Sequence, residues 1–209
     1  MRKTFFALLT LTLCSAVGAP LHAQQLQGDF LVAGPPDATS DAGGGIFVVN
    51  LAANSRTLLQ NLPADLRRTS YLIQDPTNPL AWYAGTRGPV RGNAGPVYVY
   101  RFTTSTGRVL SARKLNTQNL TTDTEIKSLA IAGDKLIFAS ETRVESMPLT
   151  GGAATTLFAF ARPTNNFPAM VSDGRYLYAN IFNTGNGYRT GAGSIWRHDL
   201  QDLTKRVSL

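Results

Sequence analysis

The sequence predicts an all-β fold assembled from four like units, and three observations carry that expectation. Similar apolar segments return at near-constant spacing. Apolar runs are bounded by Gly, Asn, Asp or Pro, and no window repeats its apolar residues at the helical period of about 3.6 residues. The 209 residues are 43% hydrophobic and 16% charged, with 19 Gly and 11 Pro. That is enough apolar material for a sizeable core and too little charge for a disordered chain or a coiled coil.

The repeat is set by four aligned segments: Ile46 to Leu51, Val97 to Phe102, Val144 to Leu149 and Ile195 to Leu200. Their starts fall 51, 47 and 51 residues apart. Each is followed by a polar turn and a second β-rich run, at Thr57 to Leu62, Val109 to Leu115, Thr155 to Phe160 and Leu203 to Leu209. Upstream of each lies an apolar strand closing on a small residue: Phe30 to Ala33, Ala81 to Ala84, Leu136 to Ala139 and Tyr176 to Ala179. Three of these follow a further strand and a turn, from Tyr71 to Gln74, Ser128 to Ala132 and Ala169 to Val171. Each unit is therefore a four-stranded meander, a to d, over approximately 28–62, 69–115, 126–160 and 168–209. The first unit lacks strand a.

A lone meander cannot bury both faces, so units of this length are expected to pack face to face around an axis as propeller blades. The stretches Asp173-Gly174-Arg175-Tyr176-Leu177-Tyr178 and Ser194-Ile195-Trp196-Arg197-His198-Asp199-Leu200 resemble blades of bacterial exported β-propellers of the YWTD, NHL and YVTN kinds. The expectation is a propeller of about four four-stranded blades, the first incomplete, forming either a tight ring or an open or truncated one. A β-sandwich is the competing architecture, but it gives no reason for the constant spacing. An uncovered blade edge would invite self-association through a second copy.

The N-terminus reads as an address. Arg2 and Lys3 precede an apolar stretch from Phe5 to Ala19, and Leu21-His22-Ala23 follows. This is the pattern of a secretory signal peptide over 1–23, leaving 24–209 as the propeller domain and a periplasmic or secreted location. Its removal takes away Cys14, the chain's one cysteine, and lowers the basic excess from seven to five. The remaining Lys and Arg form no basic run, so nucleic acid is not an expected partner. No span long enough to cross a bilayer follows the leader.

In such a meander the b–c loops and the crossings between blades emerge on one rim, and the short a–b and c–d turns on the other. Three b–c loops are long: Gly34 to Gly45, Gly85 to Gly95 and Ile181 to Gly193. They carry Asp37 and Asp41; Arg87, Arg91 and Asn93; and Asn183, Asn186, Tyr188 and Arg189. Crossings add Asp65, Arg67, Arg68, Asp123, Glu125, Arg162, Asn165 and Asn166. Arg forks, amides and a Tyr suit carboxylates, sugars or peptide backbone. The rim is therefore the expected binding surface for a protein, peptide or glycan, although solvated connections have a similar composition.

Catalytic and metal-binding patterns are thin. After leader removal His198 is the one histidine, on a strand rather than a rim loop, which does not suit a Ser-His-Asp arrangement. No zinc spacing occurs, and Asp37 to Asp41 lacks the later bidentate Glu of a calcium loop. Asn119-Leu120-Thr121 fits a glycosylation acceptor. Propeller hydrolases and lactonases, which the chain resembles in expected fold, hold a metal near the axis with carboxylates and Asn. The corresponding positions here are Thr69, Ser70, Glu125, Lys127 and Phe167, a poor ligand set. The expected function is non-catalytic binding, with no catalytic residue, metal or cofactor. The alternatives are a metal-assisted hydrolase or lactonase, and a piece of a larger propeller without activity of its own.

Overall fold

The computed structural model describes residues 29–34, 45–88, 96–116, 125–140, 143–159, 169–182 and 193–209. Blade 1 contains β1 (Asp29–Gly34), β2 (Gly45–Asn50) and β3 (Ser55–Leu58). Blade 2 contains β4 (Thr69–Gln74), β5 (Ala81–Thr86), β6 (Val99–Ser105) and β7 (Arg108–Lys114). Blade 3 contains β8 (Ser128–Ala132), β9 (Lys135–Ala139), β10 (Arg143–Pro148) and β11 (Thr155–Ala159). Blade 4 contains β12 (Met170–Ser172), β13 (Tyr176–Phe182), β14 (Gly193–Asp199) and β15 (Arg206–Ser208). Every blade is an antiparallel meander in chain order, and the first has three strands. The inner strands follow one another, β1 beside β4, β4 beside β8 and β8 beside β12, making a four-blade β-propeller.

The side-chain period of two decides which blade each strand contacts. On β9, Leu136 and Phe138 enter the core against blade 2, while Ile137 and Ala139 enter the core against blade 4. On β5 and β6, Tyr83 and Val99 face blade 3, while Ala84, Tyr100 and Phe102 face blade 1. Central blades are thus apolar on both faces, and burying each such side chain contributes roughly 1.5–3 kcal/mol.

Two of the expected runs form markedly shorter strands. The run from Thr57 to Leu62 is replaced by the earlier, shorter β3. After it, Gln60 leaves its own sheet to bridge Arg108 of β7, and Asn61 takes a positive φ of 57°. The run from Leu203 is shortened to β15 because Asp202 holds a turn, its Oδ1 accepting from the Thr204 amide at 3.2 Å and from the Thr204 hydroxyl at 2.6 Å. A 3-10 helix, Ala64–Arg68, is an addition to the expected elements. It seats buried Leu66 between blades 1 and 2, and the Thr69 hydroxyl donates to the Leu66 carbonyl at 2.7 Å.

His198 is 3% exposed at the junction of blades 3 and 4. Its ring stacks on Phe158, with centroids 4.3 Å apart and planes 6° from parallel. Burial, and then the Arg206 charge, hold its pKa below the ordinary 6.5. The folded imidazole therefore stays neutral where an unfolded one gains a proton. This contribution is fully present above pH 6.5 and is lost as pH falls from there towards the folded value. His198→Phe keeps a stacking ring and removes the titration. Urea unfolding across this window should show the wild type losing stability more steeply than the variant; parallel profiles would contradict the assignment.

Candidate functional site

The crossings and the b–c loop ends meet on one rim, fastened by backbone hydrogen bonds. Arg87, just past β5, donates its amide to the Arg68 carbonyl at 2.9 Å and bridges Glu125 on its other side. The Ile126 amide donates to the Thr86 carbonyl at 2.9 Å, so the end of β5 lies between the crossing that enters blade 2 and the one that enters blade 3. The Ser70 hydroxyl lies 2.6 Å from the Ile126 carbonyl and 3.1 Å from the Gly85 carbonyl, tying β4 to the same seam. Further round, the Lys127 amide donates to Ala139, and Met170 donates to the Ser128 hydroxyl at 3.1 Å. Asn116 anchors the strand that leaves the second long loop, accepting from Val99 at 2.7 Å and donating to Val97 at 3.4 Å.

The opposite rim carries tight reversals. Gly107 and Gly133 turn at φ 76° and 58°, and Asp75 and Asp173 accept backbone amides to fold their own turns. Connections 35–44, 87–98 and 183–192 are the long ones, and 140–142 is the short member of the same rim. The loop asymmetry expected from sequence is therefore a property of the chain trace.

Basic side chains outnumber acids along the described part of this rim. Asp65 is its centre, accepting from the Tyr100 hydroxyl at 2.8 Å, Lys114 Nζ at 2.9 Å and Arg68 Nη2 at 3.1 Å. Burial pushes the Asp65 pKa up, but the hydrogen bonds from Lys114 and Tyr100 and the Lys114 and Arg68 charges outweigh it, so the net shift is downward. Burial first, and the Asp65 carboxylate second, push the Tyr100 hydroxyl up to about 12. Lys114 Nζ also stands 3.7 Å from the Tyr98 ring centroid, a cation–π seat. The nearby Glu125–Lys127 pair is 2.7 Å apart, with the Lys127 side chain 7% exposed. Arg67 is exposed and Arg87 is half-buried.

Of the residues expected at the binding surface, Arg87 is placed on the rim between two crossings, and Asp65, Arg67, Arg68 and Glu125 lie on those crossings. Asp37, Asp41, Arg91, Asn93, Asn183, Asn186, Tyr188 and Arg189 lie outside the described residues, as do Asp123, Arg162, Asn165, Asn166 and the Asn119 triplet. Of the positions expected near the axis, Thr69 donates to the Leu66 carbonyl of the preceding 3-10 helix, Ser70 donates to Ile126 of the next crossing, Glu125 and Lys127 pair with each other, and Phe167 lies outside the described residues. Among the described residues no group of three or more His, Cys, Asp and Glu comes together. The Asp65–Tyr100–Lys114 cluster was not expected from sequence.

No protein-family model and no curated protein matches the chain. Solved structures do. A chain in the nidogen/laminin complex superposes with a TM-score of 0.52 at 18% identity, covering 78% of this chain and 53% of that one. TolB from Acinetobacter baumannii gives 0.55 at 11% identity, covering 87% and 40%. The calcium-binding protein regucalcin from Agrobacterium tumefaciens strain C58 gives 0.52 at 18% identity, covering 80% and 57%. At these identities the likeness shows the propeller fold alone. The chain spans about half the length of these neighbours.

Proposed function

We propose that this chain is an exported, non-catalytic binding protein, periplasmic or secreted, whose long-loop rim takes a protein, peptide or glycan ligand. The observation that carries the reading is the one-sided display: three long connections and the basic crossings share a rim, while the other rim only reverses the chain. Arg forks and amides in such loops favour ligands that present carboxylate or carbonyl oxygens. One of the propeller neighbours is a chain of the nidogen/laminin complex, which supports a protein ligand for a fold of this kind. Export rests on the N-terminal leader pattern; no helix among the described residues is long and apolar enough to cross a membrane.

The test is a screen of the mature chain against peptide and glycan arrays, followed by titration of the hits. Each charge-assisted hydrogen bond contributes about 1.5–3 kcal/mol, so the triple variant Arg87→Ala, Arg91→Ala, Arg189→Ala should weaken binding by roughly a hundredfold or more. Its melting temperature should match the wild type. Unchanged affinity in the triple variant would contradict the reading.

A further inference from the structure

His198 is built into the junction between blades 3 and 4 in a way that suits a neutral ring and not a charged one. By the period of two along β14, Trp196 and His198 turn towards blade 3, while Arg197 and Asp199 turn away. The His198 ring lies flat on Phe158 of β11, and its cross-strand partners are Leu177 on β13 and Arg206 on β15. Its Nε2 is buried and has no hydrogen-bond partner among the described residues. A charged imidazole carries a proton on both nitrogens, whichever tautomer it starts from. Protonation therefore creates a buried Nε2–H donor with no acceptor.

The charges around the ring add to that cost. Arg206 shares its face, with its guanidinium 5.5 Å from the neighbouring Trp196 ring centroid. On blade 3, β11 holds no titratable residue, and β8 and β10 turn Ala130, Ala132 and Val144 to this junction. The row Lys135–Ile137–Ala139 of β9 adds a lysine at its turn end. The nearby acids face elsewhere. Asp199, on the opposite face of β14, stands 3.7 Å from Arg175, and Asp202 pairs with Lys205 at 3.1 Å in the turn before β15.

The strands that flank the ring are lightly anchored. β11 is the outermost strand of blade 3, bonded along one edge, and its pairing with β10 shifts register between Val144 and Glu145. β15 is three residues long and exposed throughout. Short edge strands of this kind open locally at less cost than a core strand. We propose that His198 is a proton-operated latch between blades 3 and 4, and that uptake of one proton by its imidazole releases β11 and β15 while the rest of the propeller stays folded. Release lets water reach the ring and separates it from Arg206. The latch lies between blades, not on the loop rim, and stands whether or not the rim binds a ligand.

Hydrogen exchange of the mature chain, read by mass spectrometry across a pH series and corrected for the intrinsic rate at each pH, tests it. The opened form takes up its proton at the ordinary histidine value of 6.5, and the closed form only below it. The opening constant should therefore rise by up to about tenfold for each pH unit below 6.5, until the folded value is reached. Amides of β11 and β15 should follow that slope, while those of β4 to β7 in blade 2 stay flat. His198→Phe keeps a stacking ring and should abolish the slope, and blade 2 protection equal to the wild type's certifies that the variant folds. Unchanged protection at either strand in the wild type, acceleration shared equally by blade 2, or the same slope in His198→Phe would overturn the proposal.

Discussion

Phe138→Ala is expected to lower the unfolding free energy by about 3–5 kcal/mol, the usual range for emptying a fully buried aromatic site. Phe138 is inaccessible to solvent on β9, and its ring lies in the core between blades 2 and 3 with Tyr83, Val99, Ile126, Leu129 and Met147. These partners come from strands of two blades and from the crossing between them, so no single strand can shift to fill the space. A loss of that size is a large fraction of the roughly 5–15 kcal/mol that holds a domain together. Urea unfolding followed by tryptophan fluorescence measures it, since Trp82 lies in blade 2 and Trp196 in blade 4. A loss below about 1 kcal/mol would mean that the two blades do not share this core.

Gly85→Ala should act where fold and rim meet. A Cβ at Gly85 would stand 2.5 Å from both Cβ and Cγ2 of Ile126. Ile126 is β-branched and inaccessible to solvent, and its amide is bonded to Thr86, so it cannot turn aside. Overpacking of this kind costs about 1–3 kcal/mol. The crossing must move away from β5, stretching the Ser70–Ile126 bond and displacing Arg87 from Arg68 and Glu125. The variant should therefore lose stability and weaken rim binding together. Gly34→Ala is the control, because a Cβ there meets nothing within 4 Å, and it should change neither. Equal behaviour of the two variants would contradict the close approach at Gly85.

The blades were legible in the sequence because period-two patterning survives in the central strands. Leu136 and Phe138 against Ile137 and Ala139 already divide β9 between two neighbours. The 3-10 helix at Ala64–Arg68 was not legible. It is only five residues long, too short for a helical period, and it leaves Pro63 ahead of Asp65 and Leu66 as its one local trace. Two strand ends were not legible: the Asp202 side chain captures the backbone before β15, and the backbone of Gln60 leaves the end of β3 to bridge Arg108.

Of the candidate site, the side of the fold was readable and the chemistry was not. Loop lengths give the rim, because a meander sends every b–c loop and crossing to the same end. The cluster of Asp65, Tyr100 and Lys114 draws on a crossing and two different strands, and nothing in local sequence spacing links them. The alternating faces of β6 and β7 point Tyr100 and Lys114 the same way, since the two are cross-strand partners. An Asp ahead of a buried Leu in the preceding crossing is the one signal that could have completed the set.

The use of one rim is tested most directly by amide hydrogen exchange on the mature chain with and without a ligand taken from the array screen. Ligand should slow exchange at 35–44, 87–98 and 183–192 and at the crossings through Arg68 and Glu125, leaving the turns at Gly107, Gly133 and Gly174 unchanged. Protection centred on those turns, with the long connections exchanging as before, would contradict it.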